Sequence, residues 1–153
     1  MDIFAAIQSQ NVEALQAIIA SKPAVLHSKD SRGFTPLILA TYMGAMDITQ
    51  SLLEHDIDVD GKDASGNTAL MGVSFKEAIE YADLLIAAGA DLNATNNSGT
   101  TALAFAATYG KSKMVKYLLD RGADKTIIDN NGKSALDHAK AKEIEEIITL
   151  LEK

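Results

Sequence analysis

The chain has 153 residues, of which 47% are hydrophobic and 23% charged, and its formal net charge is −7. This length suits one ordinary domain, and the apolar content excludes an intrinsically disordered chain. It contains no cysteine, which excludes disulfides and thiolate chemistry. No run reaches the ~18 apolar residues of a membrane-spanning helix, and Met1–Phe4 has no basic stretch ahead of an apolar one. We therefore expect a cytoplasmic protein with no membrane partner.

Charged residues are distributed unevenly along the chain. Residues 1–100 hold 13 acidic and 5 basic side chains, whereas residues 101–153 hold 8 acidic and 9 basic ones. The basic residues of one stretch in the second part are Lys111, Lys113, Lys116, Arg121 and Lys125. A nucleic-acid site needs clustered lysine and arginine, but Asp120 and Asp124 dilute this stretch. The pattern favours a solvated helix face, and we expect no nucleic-acid partner.

The first predicted elements are two helices, at residues 2–9 and 12–20. Pro23 stops the second helix, because proline has no amide hydrogen for the helical ladder. Ile18-Ile19 match Leu52-Leu53 at a spacing of 34, but the turn that opens each later unit is missing here. We interpret residues 1–29 as a capping unit with one inserted residue.

From residue 30 onwards the sequence repeats every 33 residues, which indicates one structural unit copied end to end. The repeated glycines are Gly33, Gly66, Gly99 and Gly132; three residues before them stand Asp30, Asp63, Asn96 and Asp129; two residues after them stand Thr35, Thr68, Thr101 and Ser134. We divide the chain into an N-terminal capping unit (1–29), three full repeats (30–62, 63–95 and 96–128) and a C-terminal capping unit (129–153).

One full repeat, residues 30–62, contains a turn, two helices and a loop. Asp30 and Gly33 predict the turn, since glycine accepts positive φ and aspartate can bond its own backbone. Thr35 supplies an N-cap hydroxyl, and Pro36 suits the first helical position. Gly44 ends this helix. The apolar face of the second helix consists of Ile48, Leu52 and Leu53. Such a face is too small to be buried alone, so the units must stack into an all-helical solenoid.

The last unit shows the polar outer face that a terminal cap needs. Glu152 stands there in place of the apolar residue found in the three full repeats. Those apolar residues are Leu53, Ile86 and Leu119.

Several motifs resemble those of ankyrin repeats: Gly-Phe-Thr-Pro-Leu (33–37), Leu-Leu (52–53 and 118–119) and Gly-Ala-Asp-Leu-Asn (89–93). The resemblance covers essentially the whole chain. It implies an all-α ankyrin solenoid of five helix-turn-helix units with short β-turn tips. It also implies a non-catalytic module that binds a partner protein through a concave face of tips and first helices.

Two other functions remain open. Residues 67–76 are similar to small bacterial ankyrin proteins, some of which are encoded beside catalases. That resemblance implies an accessory or regulatory role in a stress or oxidative enzyme system. The second alternative is an unrecognised enzyme or small-molecule binder.

The chain departs from the family pattern in three columns. The histidine that follows Thr-Pro-Leu in the family is absent, and the column reads Ile38, Met71, Ala104 and Asp137. Glutamates, Glu77 and Glu143, replace the glycine that ends the first helix in other units. Gly72 lies inside a predicted helix, where glycine costs ~1 kcal/mol against alanine. We predict that the third unit, residues 63–95, is the least regular.

Three patterns resemble reactive sites but fit the repeat better. Asp56-x-Asp58-x-Asp60-Gly61 imitates a calcium loop, yet its twelfth position is Asn67 rather than a bidentate acid. Gly132-Lys133-Ser134 and Gly110-Lys111-Ser112 lack the earlier glycine of a phosphate-binding loop. Ser134, Asp137 and His138 are triad residue types, but Ser134 belongs to the N-cap column. We expect no catalytic residue, metal or cofactor.

In an ankyrin stack, the columns beside the turn glycine and at the end of the first helix face the groove. Four of the eight aromatic residues fall on these columns, where folding does not require them. Aromatic residues, methionine and arginine are enriched at interface hot spots. The candidate partner-binding residues are Arg32, Phe34, Tyr42, Met43, Phe75, Lys76 and Tyr109.

The alternative is that these aromatic residues only pack on one another, since Tyr42 and Phe75 share a column. Tyr81 and Phe105 fall on core columns, and we expect both to be buried. We expect a monomer with an unknown partner protein.

Overall fold

A computed structural model describes all 153 residues of the chain. It contains ten α-helices and no strands. The helices are α1 (Ile3–Gln8), α2 (Val12–Ser21), α3 (Pro36–Tyr42), α4 (Met46–Leu53), α5 (Ala69–Phe75), α6 (Ile79–Ala87), α7 (Ala102–Thr108), α8 (Ser112–Asp120), α9 (Ala135–Ala141) and α10 (Glu145–Glu152). A 3-10 helix, Pro23–His27, follows α2 and forms part of the insertion in the first unit. The helices confirm the predicted all-helical repeat architecture.

The helices form two layers. The two helices of each unit pack against each other, and the first helices, α1, α3, α5, α7 and α9, stack in series. In the outer layer, α2 packs on α4 and α8 packs on α10. Each unit therefore contacts chiefly its neighbours in sequence, as expected of a solenoid.

Small and branched side chains fill the space between the layers. The inner column of small residues is fully buried, which lets successive first helices approach closely. It consists of Ala40, Val73, Ala106 and Ala139. The outer helices bury a column of leucines, Leu52, Leu85, Leu118 and Leu151. These two columns form the core of the stack.

The turn that opens each repeat is closed by its first side chain. Asp30 Oδ1 accepts the backbone amide hydrogens of Arg32 and Phe34, each at 2.9 Å. Gly33 adopts a φ of +84°, which favours glycine. The same pair of bonds recurs at Asp63, Asn96 and Asp129. These bonds confirm the predicted turns.

Each first helix of the repeats begins at a hydroxyl cap. Thr35 Oγ1 accepts the amide hydrogen of Ile38 at 3.1 Å, and Pro36 occupies the first helical position. The equivalent caps are Thr68, Thr101 and Ser134. The N-cap column thus has the role that its composition predicts.

The tips of the last three units are joined by asparagine side chains. Asn97 Nδ2 donates to the carbonyl oxygen of Ala64 at 3.2 Å, and Asn130 Nδ2 donates to that of Asn97 at 2.9 Å. Ala64 occupies the same column in the third unit and cannot make this bond. The second and third tips are therefore held less firmly than the others.

Two predictions of burial are wrong, since Tyr81 and Phe105 are both only half-buried. The phenol oxygen of Tyr81 needs access to water, and partial burial, aided by the charges of Glu80 and Asp47, raises the pKa of its hydroxyl. In the preceding unit, the residue equivalent to Phe105 is Gly72. Because glycine has no side chain to cover it, one side of the Phe105 ring stays open.

The third unit has helices of the same length as the fourth: seven residues in α5 and α7, and nine in α6 and α8. Its helices are therefore as regular in length as those of its neighbour. However, α6 has sparse backbone contact with the outer helices on either side. That residues 63–95 form the least regular unit, which hydrogen exchange would test, stays a prediction.

Candidate functional site

Three aromatic side chains stand exposed at the ends of successive first helices. The exposed fractions are 56% for Tyr42 at the end of α3, 45% for Phe75 at the end of α5 and 52% for Tyr109 after α7. All three lie on the predicted groove columns. The repeat thus places one large ring per unit along one face of the stack.

Together with Phe34 and Phe105, these rings form one pair and one group of three. Phe34 and Tyr42 have ring centroids 6.0 Å apart, and Phe75 meets Tyr109 edge to face at 4.8 Å. Phe105 stacks on Tyr109 at 6.4 Å. The partner of Phe75 is therefore Tyr109 in the next unit, and the alternative in which Tyr42 packs on Phe75 is not the arrangement found.

Two cations lie over these rings. The Arg32 guanidinium is 4.6 Å from the Phe34 centroid and also pairs with Asp30 at 3.2 Å. The Lys76 ammonium is 4.1 Å from the Tyr42 centroid and donates to the carbonyl oxygen of Tyr42. Such cation–π contacts contribute roughly 0.5–1 kcal/mol at exposed sites. They fix both cations at the rim of the aromatic surface.

A cavity of about 250 Å³ is lined by the Phe34–Tyr42 pair, by Phe75 and Phe105, and by residues of α5. Its lining is mainly apolar, with one lysine and one aspartate among the polar residues. The residues that line it are Phe34, Ile38, Thr41, Tyr42, Asp63, Asn67, Thr68, Ala69, Met71, Gly72, Phe75, Lys76 and Phe105. Four of the seven predicted site residues therefore converge on one concavity. We call this concavity the Gly72 cavity.

The other three predicted residues lie around or away from the Gly72 cavity. Arg32 contacts it through Phe34, and Tyr109 through its ring contact with Phe75. Met43 is half-buried and packs against the apolar core of the first two units. Met43 is therefore placed mainly as a packing residue.

Phe105 lines the cavity although the sequence columns assigned it to the core. The signal lay in its own column, which reads Leu39, Gly72, Phe105 and His138. A glycine in one unit beside an aromatic residue in the next indicates an open ring face. A comparison of this column across neighbouring units would have identified Phe105 as a candidate site residue.

The residues of the calcium-like pattern form hydrogen bonds between units. Asp60 Oδ1 accepts the amide hydrogen of Asp91 at 3.0 Å, and Asn93 Oδ1 accepts that of Asp124 at 2.8 Å. Asp58 Oδ1 accepts the amide hydrogen of Asp60 at 3.0 Å. This column therefore has a structural role in the loops.

The triad-like residues are not arranged as a triad. Ser134 Oγ accepts the amide hydrogen of Asp137 at 3.1 Å, which is a helix cap. His138 Nε2 instead contacts Asp129 Oδ2 at 2.8 Å, between α9 and its own turn. The amide hydrogen of Lys133 and the His138 ring together hold the pKa of Asp129 below its ordinary value. These contacts stabilise the last turn.

The basic residues of the fourth unit are mostly engaged within the stack. Lys116 pairs with Asp120 at 2.8 Å, and Arg121 pairs with Asp83 of the third unit at 2.8 Å. Lys125 Nζ donates to the carbonyl oxygen of Leu151 at 3.0 Å. They form separate contacts along the outer helices rather than one basic patch.

No group of three or more His, Asp or Glu side chains is placed to hold a metal ion. The chain has no helix with the length and apolar content needed to cross a membrane.

Comparison with protein families accounts for nearly the whole chain. Residues 3–96 match a family model described as ankyrin repeats (3 copies). Residues 85–139 match a second model, described as ankyrin repeats (many copies). The two matched segments overlap and together span residues 3–139.

Proposed function

Because this chain belongs to the ankyrin-repeat family, whose repeats generally mediate protein–protein interaction, we propose that it binds a partner protein through its concave face. In this proposal the chain is a monomeric, non-enzymatic module. The candidate contact residues are Arg32, Phe34, Tyr42, Phe75, Lys76 and Tyr109, together with Phe105, which lines the Gly72 cavity. Met43, also a candidate, packs against the core of the first two units.

The observation that carries the proposal is the exposed aromatic surface around the Gly72 cavity. Large aromatic side chains gain most when they are removed from water, so three of them standing half-exposed on one face are costly unless something covers them. Aromatic residues and arginine are also the types most enriched at interface hot spots. The same side chains are not needed to fill the core, which is closed by aliphatic residues beneath them.

The rings are also held in place before any partner arrives. Phe75 and Tyr109 fix each other edge to face, and Lys76 lies against Tyr42. A preorganised surface loses less conformational entropy on binding, which favours affinity. This supports a binding surface over a set of freely moving side chains.

Site-specific photo-crosslinking in the native host tests the proposal. A benzoylphenylalanine residue would replace Tyr109 on the concave face or, as the matched control, Ile128 on a loop. Both residues are large, apolar and similarly exposed, at 52% and 59%. We expect a defined crosslinked protein from position 109 and none from position 128. Equal crosslinking from both positions would argue against a concave-face site.

The identity of the crosslinked protein also tests the accessory role. A subunit of an oxidative or stress-response enzyme would support that narrower reading. An unrelated protein would be consistent with the general binding function but would contradict the accessory role.

A further inference from the structure

The backbone conformation at position 72 does not require glycine. Gly72 lies inside α5 and does not adopt the positive φ seen at eight other glycines of the chain. A Cβ atom added there would meet nothing within 4 Å. Glycine is unfavourable in a helix interior, so a residue with a side chain would give a more stable helix. What the glycine provides is empty space on the concave face.

The neighbouring units show what fills that space elsewhere. The same column carries Leu39 in the second unit and Phe105 in the fourth. Leu39 is buried, and Phe105 lines the cavity together with Gly72. The Gly72 cavity is thus the volume of one omitted side chain, widened by the rings around it.

The cavity has the size and lining of a site for a single apolar side chain. Its volume of about 250 Å³ is below the ~300–1,000 Å³ of pockets for small ligands and cofactors. Its floor contains the buried side chains of Ile38 and Met71, and its walls contain Phe75 and Phe105. A leucine- or phenylalanine-sized side chain entering it would exchange water for these apolar contacts.

The rim carries one cation that no carboxylate neutralises. Lys76 is exposed and lies over the Tyr42 ring, but it forms no ion pair, whereas Arg32 is paired with Asp30. The carboxylate in the lining, Asp63, uses Oδ1 for amide hydrogens of its own turn. An acidic group beside the apolar one would therefore find a complementary charge at Lys76.

We infer that the Gly72 cavity receives one leucine- or phenylalanine-sized side chain of the partner protein, and that an adjacent aspartate or glutamate pairs with Lys76. The inference rests on the proposed function and specifies the partner segment that the concave face recognises. It explains why a glycine, which is unfavourable inside a helix, stands at a position that lines the cavity.

Selection from a displayed library of random 12-residue peptides tests this inference. We expect enriched peptides to share a large apolar residue within two positions of an aspartate or glutamate. In amide NMR titrations, these peptides should shift the signals of Gly72, Phe75 and Phe105. Gly72→Met should weaken their binding at least tenfold, which is ~1.4 kcal/mol, while raising the thermal midpoint of unfolding.

Two further variants test separately the contribution of the cavity volume and that of the Lys76 charge. Gly72→Ala fills little of the cavity, so it should raise the midpoint with a smaller loss of binding. Lys76→Gln should weaken binding about threefold and remove the preference for an acidic residue. Lys142, in the same column of the last unit, lies away from the cavity, and Lys142→Gln should leave binding unchanged.

The outcomes distinguish this inference from the general proposal. If Gly72→Met binds the peptides as well as wild type, the cavity is not the recognition site. If that variant still binds but Tyr42→Ser/Phe75→Ser does not, the concave face binds and the inference about the cavity fails. If both variants bind, the concave-face proposal fails as well. A selection with no enrichment, or with enriched peptides that lack the apolar–acidic pair, also overturns the inference.

Discussion

The carboxylate of Glu77 accepts the amide hydrogen of Lys113 in the next unit, with Oε2 3.1 Å from the nitrogen. The same oxygen lies 3.4 Å from the amide nitrogen of Met114. These amides belong to the first turn of α8, which has no cap from its own N-cap residue. Glu77 thus caps a helix of the neighbouring repeat and satisfies amides that the helix leaves free.

This contact explains a glutamate where other units have glycine. Glu77 and Glu143 both adopt a φ of +57°, which is unfavourable for a residue with a side chain. Glu77 forms this cap, whereas the Glu143 carboxylate forms no hydrogen bond. We expect Glu143→Gly to raise the free energy of unfolding by ~0.5–1 kcal/mol, because it relieves backbone strain and loses no bond.

We expect Glu77→Gly to give no such gain and to lower the free energy of unfolding by up to ~1.5 kcal/mol. The loss of the cap, worth ~1–2 kcal/mol, offsets the relief of strain. Urea denaturation of both variants, followed by circular dichroism, measures the difference. Equal stabilisation by the two substitutions would show that the contact between Glu77 and α8 contributes nothing.

The weak junction between the second and third tips can be strengthened. Ala64→Asn should restore the asparagine bond that Asn97 and Asn130 make, with the Ser31 carbonyl as acceptor. We expect a gain of ~0.5–1 kcal/mol in the free energy of unfolding. Asn130→Ala should lose a similar amount, since it removes the equivalent bond. The prediction fails if denaturation curves show Ala64→Asn to be neutral or destabilising.

Acid sensitivity should arise partly from the turn aspartates. Burial disfavours the charged form of Asp30, but hydrogen bonds from the amides of Phe34 and Arg32 outweigh it and hold the pKa of Asp30 below its ordinary 3.8. The pKa of Asp129 is lowered as well. Carboxylates of this kind stabilise the fold above their unfolded pKa, and the stabilisation is lost as the pH falls through the folded pKa.

We therefore expect the free energy of unfolding contributed by these groups to be constant between about pH 5 and pH 7 and to fall below about pH 4. Asp30→Asn/Asp129→Asn should be less stable at pH 7 but should show a shallower decline in acid. Asn96, which accepts the same two amides in the fourth unit, shows that asparagine fits the turn. Parallel urea titrations at several pH values test this, and identical acid slopes would contradict it.

The third unit should open more easily than the fourth. Gly72 weakens α5, and α6 has sparse contact with the outer helices beside it. Hydrogen exchange should be faster in residues 79–87 than in residues 112–120, which form an outer helix of the same length. Slower exchange in residues 79–87 would contradict the prediction. Gly72→Ala should bring the exchange rates of these two helices closer together.

The sequence predicted those parts of the fold that depend on local interactions. A turn aspartate bonds amides two and four residues ahead, and a cap hydroxyl bonds an amide three ahead, so Asp30 and Thr35 could be assigned from spacing alone. Repetition of the columns then extended each assignment to every unit. The family resemblance supplied the concave face on which the candidate site was placed.

Contacts between units were harder to predict. The direction in which a ring leans depends on what the adjacent unit leaves empty, so Phe75 pairs with Tyr109 rather than Tyr42. Phe105 was assigned to the core because it aligns with Leu39, but Gly72 in the unit between them leaves its ring partly open. The reach of Glu77 to α8 depends on the rise between units, which the column spacing does not give.

The affinity of the crosslinked partner for two variants tests the concave-face proposal most directly. We expect Tyr42→Ser/Phe75→Ser to raise the dissociation constant at least tenfold, or ~1.4 kcal/mol, with a fall of only a few degrees in the thermal midpoint. Ile128→Ser, the matched exposed control, should leave the dissociation constant unchanged. An unchanged constant for the groove variant, or a loss of binding on substituting Ile128, would contradict the proposal.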